Sequence, residues 1–376
     1  MTGSLQGRDI TIIGAGIGGL TAALALARRG ASIIVMEQAT ALTEIGAGLQ
    51  ISPNAGHVLD ALGLGPALDA VSARSDGVVL HDMAGRQVAA LPLARRRPGA
   101  AFRMVHRARL VEVLADAARA AGVTLRLGAR VESLPEAELL IGADGLHSAV
   151  RARLNGAEQP FFTGQTAWRG LIVDDQPDTM ARVFMGPGQH FVSYRLAGGL
   201  RNLVAVQERA AWTAEGWSHE DDPAHLRAAF AGFGGPVPGW LDQVQRVGIW
   251  GLFRHDVAAR WHDARLAILG DAAHPTLPFM AQGAVMAIED AWILAACLDA
   301  ISDQQTALAR YQEIRAPRVR RIVAAANGNA RNYHLRGPAR VIGHAGLRSL
   351  SRLSPALLMR RFDWIYDYDP LADTPR

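Results

Sequence analysis

A glycine-rich run near the start of the chain has the residue types and spacing of a nucleotide-binding turn. Gly14, Gly16 and Gly19 follow a short β-branched segment and fit the pattern G-x-G-x-x-G. In that pattern the glycines permit a tight turn, close approach of the backbone to a pyrophosphate and close packing of the next helix. Glu37 ends the next apolar segment, where a carboxylate can accept hydrogen bonds from a ribose diol. An acid there disfavours a 2′-phosphate, so the turn predicts the adenosine half of FAD or NAD.

Two later segments place an acid where a predicted strand ends. Asp271 lies in the run Leu269-Gly270-Asp271-Ala272-Ala273-His274-Pro275, and Asp144 lies in Gly142-Ala143-Asp144-Gly145. We expect Asp271 to hold the hydroxyls of a ribityl chain and a long helix to follow with its N-terminus towards the flavin. NAD-dependent dehydrogenases need no such element. The motifs together therefore favour FAD, and a dehydrogenase built on the first motif alone is the alternative.

The strand ends that carry these motifs must meet at one edge of a parallel sheet. Residues 10–13, 17–29 and 32–36 have the pattern of a strand, a helix and a second strand, which is a βαβ unit. Residues 78–93 predict a β-hairpin, and residues 161–249 predict mostly antiparallel strands. The sequence therefore predicts an α/β fold, with a Rossmann-like FAD-binding domain, an inserted and mostly antiparallel β-sheet substrate domain, and C-terminal helices.

The predicted domains are discontinuous along the chain. We expect the FAD-binding domain to comprise residues 1–75, 98–160 and 250–335. The substrate-binding sheet domain would comprise residues 76–97 and 161–249, and a helical segment would comprise residues 336–376.

The composition excludes several classes of function. The chain has 376 residues, of which 49% are hydrophobic and 20% are charged, as in ordinary globular proteins. All 39 basic residues are arginine, so no lysine is present for Schiff-base chemistry, and their scatter along the chain argues against nucleic-acid binding. The apolar segment 284–300 contains Glu289 and Asp290, so it predicts a core helix and not a membrane span.

The single cysteine, Cys297, excludes an intrachain disulfide and a cysteine-based metal cluster. No spacing of histidines suggests a metal site either. The low cysteine content and the lack of a visible signal peptide predict a cytoplasmic protein, either a monomer or a homodimer.

The three motifs, in this order and at these spacings, resemble the single-component FAD-dependent aromatic hydroxylases of the 4-hydroxybenzoate hydroxylase group. Further segments resemble the branch that contains salicylate hydroxylase, 3-hydroxybenzoate 6-hydroxylase and 6-hydroxynicotinate 3-monooxygenase. These segments are Gly46-Ala47-Gly48-Leu49-Gln50-Ile51-Ser52-Pro53-Asn54, Ala167-Trp168-Arg169-Gly170 and Asp363-Trp364-Ile365-Tyr366. The resemblance covers nearly the whole chain and is far less specific for a substrate than for the group.

The resemblance implies roles for particular residues. Those expected to bind the ADP half, the ribityl chain and the flavin ring are Gly14, Gly16, Gly19, Glu37, Arg107, Asp144, Asp271, Gln282 and Gly283. Asp144 is also implied in binding of the reduced nicotinamide, and the carbonyl of Pro278 is implied to lie beside the reacting ring. The chain departs from the group at Ala281, where glycine often precedes Gln-Gly.

The resemblance also implies an activity. NADH or NADPH would reduce FAD, and O2 would then form a flavin C4a-hydroperoxide that hydroxylates a small aromatic acid of the hydroxybenzoate, salicylate or hydroxynicotinate type. The alternatives are an FAD-dependent oxygenase or epoxidase that acts on a nonaromatic substrate, and a flavoprotein that does not hydroxylate.

Five residues are candidates for the substrate pocket. His190 and Tyr194 share one face of a predicted strand and could bind or deprotonate a phenol, although a Tyr or His on a strand is usually only packed. Arg169 and Arg195 could pair with a substrate carboxylate, although solvated surface arginines are common. Gln50 follows a glycine-rich turn that we expect to face the flavin.

Overall fold

The computed structural model describes residues 4–42, 48–97, 99–212 and 219–375. Gly46 and Ala47, in one of the segments that carry the family resemblance, lie outside the described residues. The strands are, in chain order, β1 Asp9–Ile13, β2 Ser32–Met36, β3 Gly48–Ile51, β4 Ser72–Ser75, β5 Gly77–Asp82, β6 Gln87–Leu91, β7 Phe102–His106, β8 Thr124–Arg126, β9 Leu139–Gly142, β10 Phe161–Val173, β11 Met180–Gly186, β12 Gln189–Leu196, β13 Leu200–Glu208, β14 His219–Asp221, β15 Val247–Arg254 and β16 Leu266–Ile268.

Helices connect and cover these strands. They are α1 Ile17–Ala27, α2 Pro53–Ala61, α3 Gly65–Val71, α4 Leu93–Arg96, α5 Arg107–Ala120, α6 Ala149–Asn155, α7 Pro223–Ala229, α8 Val237–Asp242, α9 Gly283–Ala300, α10 Gln304–Tyr333, α11 Gly337–Leu353, α12 Pro355–Arg360 and α13 Asp363–Tyr366. Two 3-10 turns, Gly270–Ala272 and Pro278–Met280, precede α9.

The predicted parallel sheet is present, with five strands in the order β16-β9-β1-β2-β8. Every neighbouring pair in it is parallel. Because parallel strands end at the same edge of a sheet, the residues that follow β1, β2, β9 and β16 lie side by side. These residues include Gly14, Glu37, Asp144 and Asp271.

A second, eight-stranded sheet has the order β14-β15-β10-β13-β12-β11-β5-β6. The hairpin β5–β6 joins it through a parallel pairing of β5 with β11, and the other neighbours are antiparallel. The α/β fold with a parallel and a mostly antiparallel sheet is therefore confirmed. A third sheet, β3-β7-β4, was not anticipated from the sequence, because its strands are short and far apart along the chain.

The segment after Asp271 differs from the sequence prediction. We expected a long helix to follow directly, but two 3-10 turns intervene and α9 begins only at Gly283. Pro275 and Pro278 lie in this stretch, and proline has no backbone N–H to continue an α-helix. The result is an irregular loop of about ten residues beside the strand end.

Helix α9 lies in the core between α1, α2 and α10. Apolar residues cover all its sides, and Cys297 is fully buried there. Its two carboxylates are buried as well, and Arg315 of α10 forms ion pairs with both Glu289 and Asp290. None of the helices within the described ranges has the length and apolarity that a bilayer crossing requires.

Candidate active site

The glycine-rich turn has no space for side chains at two of its three glycines. Gly14 adopts a φ of +99°, and a Cβ atom there would lie 2.4 Å from the carbonyl oxygen of Ala143. A Cβ atom on Gly19 would lie 2.0 Å from the carbonyl oxygen of Gly14. A Cβ atom on Gly16 would meet nothing within 4 Å, and Gly16 lines a large cavity. The turn therefore presents bare backbone to that cavity.

Glu37 is held against the back of the same turn. Its Oε2 atom accepts a hydrogen bond from the backbone N–H of Ala15 at 2.8 Å, and its Oε1 atom accepts one from Ala39 at 2.9 Å. Each carboxylate oxygen retains a second lone pair. Glu37 lies outside the residues that line the cavity, immediately beyond the turn that does.

Two carboxylates lie at or beside the cavity, since Asp271 lines it and Asp144 lies between the lining residues Ala143 and Gly145. Asp144 accepts a hydrogen bond from the N–H of Ala149 at its Oδ2 atom, but its Oδ1 atom is buried with no donor in hydrogen-bonding geometry among the described residues. Asp271 is exposed to the cavity, although protein surrounds it. Burial raises the pKa of both acids, and for Asp271 this effect outweighs the opposing charges of His274 and Arg107.

These features fit a bound FAD. A buried carboxylate oxygen without a donor is costly, and a ligand hydroxyl group would supply the donor that the Oδ1 atom of Asp144 lacks. The carboxylate of Asp271, exposed to the cavity, would accept further ligand hydroxyl groups. The bare turn and the start of α1 would face a pyrophosphate, as helix N-termini commonly do. Arg107 begins α5 and also lines the cavity, which has a volume of about 890 Å³.

The irregular loop before α9 and the start of that helix form another wall of the cavity, through Pro278 and Gly283 respectively. The Gln282 side chain does not line this cavity, because its amide donates to the hydroxyl of Ser52 at 3.1 Å and accepts from Asn54 at 3.2 Å. Ala281 is the one non-glycine residue with positive φ in the described chain, with φ 52° and ψ 36°. The buried Gln282 side chain therefore holds the loop in place, and Ala281, directly before it, turns the backbone through its left-handed conformation.

The eight-stranded sheet supplies the wall that faces this loop. One row of paired residues across the sheet points into the cavity, and it consists of Arg169, Val204, Val192, Val183 and Leu80. His190 lies two residues before Val192 on β12 and Tyr194 two residues after it, so all three share a face. The wall is therefore apolar at its centre, with polar side chains at its margins.

Tyr194 and Arg169 lie at one side of the apolar centre. Burial raises the pKa of Tyr194, although the charge of Arg169 opposes the shift. The guanidinium of Arg169 lies over the ring of Trp250, 4.8 Å from its centroid. Gly48 packs against Tyr194 so closely that a Cβ atom would lie 2.8 Å from the ring, and Gln50 of the same strand β3 lines the cavity.

His190 lies at the other side of the apolar centre and is 1% exposed. Its ring packs edge-on against Phe279, with centroids 5.0 Å apart, and its Nδ1 atom lies 2.7 Å from Nε2 of His334. Burial first, and then the neighbouring His334, lower the pKa of His190 well below its ordinary value. The imidazole is therefore neutral at physiological pH.

Arg195 is not brought to the cavity. It follows Tyr194 directly on β12, and successive side chains of a strand point to opposite faces of the sheet. Its strand pairing places it opposite Arg201, which is buried in ion pairs with Asp174 and Asp178. The structure thus separates the two arginines suggested by the sequence, since Arg169 lines the cavity and Arg195 does not.

Two residues linked to His190 by hydrogen bonds were not identified from the sequence. His334 follows the end of α10 and lies 144 positions from His190, and Glu208 ends β13 and lies 126 positions from His334. No local pattern marks either residue. A lone histidine just after a long helix was the only available signal, and it carries no chemistry by itself.

Comparison with known proteins agrees with this geometry. A family model described as "FAD binding domain" matches residues 8–326. A 3-amino-4-hydroxybenzoate 2-monooxygenase of Streptomyces platensis is 36% identical over 392 residues, which covers 96% of each chain. A 3-hydroxybenzoate 6-hydroxylase of Aquipseudomonas alcaligenes is 34% identical over 391 residues, covering 95% of this chain and 97% of that one.

A solved structure shares the whole fold. The structure of HpxO from Klebsiella pneumoniae, complexed with FAD and uric acid, superposes with a TM-score of 0.81 at 27% identity. The match covers 98% of this chain and 97% of that one.

Proposed function

This chain belongs to the FAD-binding-domain family of monooxygenases, and from that premise we propose that it hydroxylates a small aromatic acid with O2, using FAD and either NADH or NADPH. One observation carries the proposal. A single cavity joins the dinucleotide-binding turn to an apolar sheet wall that bears Arg169, Tyr194 and His190. The two hydroxybenzoate monooxygenases that this chain resembles over nearly its whole length support an aromatic acid as the substrate.

The wall has the dimensions and polarity of a site for a substituted benzene ring. His190 and Tyr194 are four residues apart on one strand, which corresponds to ~13 Å between their backbones. Val192 lies between them and offers an apolar surface to a flat ring. Side chains extending from both ends would leave room for one ring with polar substituents on opposite sides.

We assign the polar groups by their charge. Arg169 would bind the substrate carboxylate, because a guanidinium matches a carboxylate in charge and can donate two hydrogen bonds to it. His190 is neutral and would accept the proton of a ring hydroxyl, which makes the ring more electron-rich. Tyr194 stays protonated, because burial raises its pKa, so it would act as a hydrogen-bond donor.

FAD, when bound, supplies the reduction by nicotinamide and the activation of O2. Gly14, Gly16, Gly19 and Glu37 would bind its ADP half. The residues that would contact the ribityl chain and the ring system are Arg107, Asp144, Asp271, Pro278 and Gly283. The Gln282 side chain would hold the loop, and Gln50 of β3 would face the flavin or the substrate.

We also propose the domain division given by the sequence, with a cytoplasmic location. The pairing of β5 and β6 with the strands of residues 161–254 supports the assignment of residues 76–97 to the sheet domain. The single cysteine, buried in α9, is compatible with a reducing compartment. For the oligomeric state, the prediction is a monomer or a homodimer.

The test is oxidation of NADH and NADPH by the purified, FAD-loaded protein. It would be followed with and without hydroxybenzoates, aminohydroxybenzoates, salicylate and hydroxynicotinates, with O2 uptake and H2O2 measured together. A compound that accelerates NAD(P)H oxidation without matching H2O2 would be hydroxylated, and its product would be identified by mass spectrometry. If no aromatic compound changes the rate, the aromatic assignment fails and a nonaromatic substrate or a non-hydroxylating role replaces it.

A further inference from the structure

A chain of hydrogen bonds leads from the cavity wall to the protein surface. The Nδ1 atom of His190 lies 2.7 Å from Nε2 of His334, and Nδ1 of His334 lies 3.0 Å from Oε1 of Glu208. Both imidazoles are buried, whereas the Glu208 side chain is 40% exposed and pairs with Arg336 at the surface. The chain therefore connects a buried cavity residue to a carboxylate in contact with solvent.

The partners determine which ring nitrogens carry protons. Burial alone would raise the pKa of Glu208, but hydrogen bonds from Arg336 and His334 lower it below its ordinary value, so the carboxylate only accepts. The Nδ1 atom of His334 must then be the donor to Glu208. Burial lowers the pKa of His334 despite Glu208, so this ring is neutral and its Nε2 atom is an acceptor.

His190 must consequently donate from Nδ1 to His334. Its own ring is neutral, which leaves a lone pair on Nε2. Within the described chain no residue hydrogen-bonds to this Nε2 atom, and His190 lines the cavity. The hydrogen bonds thus leave the Nε2 atom of His190 free to act as a base on the side away from His334. When Nε2 takes a proton, the Nδ1 proton can pass to His334.

We propose that His190, His334 and Glu208 form a relay that carries the proton of the substrate's ring hydroxyl to solvent; this inference rests on the proposed function. His190 Nε2 takes the hydroxyl proton, the Nδ1 proton of His190 moves to Nε2 of His334, and the Nδ1 proton of His334 moves to Glu208. One O–H and two N–H bonds break, and two N–H and one O–H bonds form. The substrate becomes a phenolate, both rings stay neutral in the opposite tautomer, and Glu208 passes its proton to water.

The relay avoids a lasting positive charge on His190, which is the cost of using a buried histidine as a base. A proton that stayed on His190 would create an imidazolium among Phe279, Tyr333 and His334, where a charge is poorly solvated. Tyr333 is protonated, since burial raises its pKa, and it offers no negative charge. Transfer through His334 to Glu208 instead moves the proton to a carboxylate at the surface, which can release it to water. His334 and Glu208 act through His190, so they are positioning residues.

The experiment measures proton release on binding, without turnover. The FAD-loaded protein would be mixed with 3-hydroxybenzoate in weak buffer containing a pH-indicator dye, in a stopped-flow instrument and without NAD(P)H. Salicylate and 6-hydroxynicotinate would be run alongside, and benzoate would serve as the ligand without a hydroxyl group. We expect the wild type to release a proton with 3-hydroxybenzoate, visible also as the phenolate absorbance of the bound ligand, and none with benzoate.

Two variants interrupt the relay at different points. His334→Gln keeps a polar side chain but cannot pass a proton, and we expect it to slow release on the order of tenfold or more. Glu208→Gln, at a partly exposed site, should slow release as well. Both should bind benzoate within about twofold of the wild-type Kd, which a general disturbance of the cavity would not allow.

Matched controls are available on the same sheet domain. His225 and Glu220 are exposed and pair with Asp221 and Arg246, away from the cavity. His225→Gln and Glu220→Gln should release the proton at the wild-type rate. Release as fast in both relay variants as in the wild type, or 3-hydroxybenzoate binding without any proton release, would overturn the relay alone. If no aromatic acid binds the wild type, the proposed function fails and the relay falls with it.

Discussion

The carboxylate of Glu37 accepts a hydrogen bond from the backbone N–H of Ala15 at 2.8 Å, so the acid that follows β2 is tied to the glycine-rich turn after β1. The two residues are 22 positions apart and lie just beyond the ends of neighbouring parallel strands. This contact orients the turn that faces the cavity and holds the carboxylate beside it. Loss of the carboxylate should therefore affect the dinucleotide more than the fold.

We expect Glu37→Ala to weaken FAD binding by roughly 10- to 100-fold, because hydrogen bonds to a charged group contribute about 1.5–3 kcal/mol. Titration of the apoprotein with FAD, followed by flavin fluorescence, would measure Kd. Glu112→Ala is the control, since Glu112 pairs with Arg109 on the exposed surface of α5. An unchanged Kd in Glu37→Ala would contradict the role of this acid.

Substitutions at two glycines of the turn should have different effects, one mainly on stability and the other mainly on cofactor binding. A Cβ atom at Gly19 would lie 2.0 Å from a backbone oxygen, so Gly19→Ala should destabilise the protein by about 1–3 kcal/mol. A Cβ atom at Gly16 has open space, so Gly16→Ala should change the free energy of unfolding by less than ~0.5 kcal/mol. It should nevertheless weaken FAD binding, because the methyl group would enter the space for the pyrophosphate. Urea unfolding of the apoproteins and FAD titration would test the pair, and equal FAD affinity in Gly16→Ala and the wild type would count against this site.

Arg169 and Arg195 provide a test of the substrate wall. We expect Arg169→Met to raise KM for the aromatic acid by roughly 10- to 100-fold, since a charged hydrogen bond to the carboxylate is lost. The corresponding phenol without a carboxylate should be affected much less. Arg195→Met should leave KM close to the wild-type value, because Arg195 lies on the other face of β12. A comparable rise in KM in both variants would show that Arg169 has no specific contact with the carboxylate.

The left-handed alanine before Gln282 should store a small amount of strain. An L-residue in this conformation costs about 1–2 kcal/mol relative to glycine, and the greater freedom of glycine in the unfolded chain offsets about 0.4–1 kcal/mol of that. We therefore expect Ala281→Gly to raise the free energy of unfolding by about 0.5 kcal/mol. Ala295→Gly, within the buried helix α9, should lower it instead. Chemical denaturation would measure both, and a clear loss of stability in Ala281→Gly would refute the strain.

Asp290 should make the protein sensitive to acid. Burial alone would raise the pKa of Asp290, but His274 and Arg315 outweigh it and hold the pKa at about 2, below the ordinary value of 3.8. A lowered folded-state pKa contributes stability that is present above the unfolded value and is lost as the pH falls. We therefore expect the free energy of unfolding to decline between about pH 4 and pH 2, by roughly 2 kcal/mol from this residue.

Asp290→Asn would remove that part of the acid dependence. It should also destabilise the protein at pH 7 by about 3–5 kcal/mol, because Arg315 would lose a buried partner. Asp116→Asn, at an exposed pair with Arg119, should change neither quantity. Urea unfolding at several pH values would measure the slopes, and identical slopes in Asp290→Asn and the wild type would contradict the assignment.

The sequence by itself determined the parallel sheet and the positions of Gly14, Glu37, Asp144 and Asp271 at one edge of it. Strand and helix patterns act through neighbouring residues, and parallel strands must end together, so the edge follows from local information. The same alternation correctly placed His190 and Tyr194 on one face of β12. It could not say which face meets the cavity, and so it could not choose between Arg169 and Arg195.

Only the tertiary structure decided what surrounds those residues. His334 reaches His190 across 144 positions, and Glu208 reaches His334 across 126, through the packing of the end of α10 against β12 and β13. The loop after Asp271 likewise departed from a helix because two prolines removed backbone donors. Such contacts depend on the register of a sheet and on how helices close over it. They are long-range in the chain, and no local pattern of residues records them.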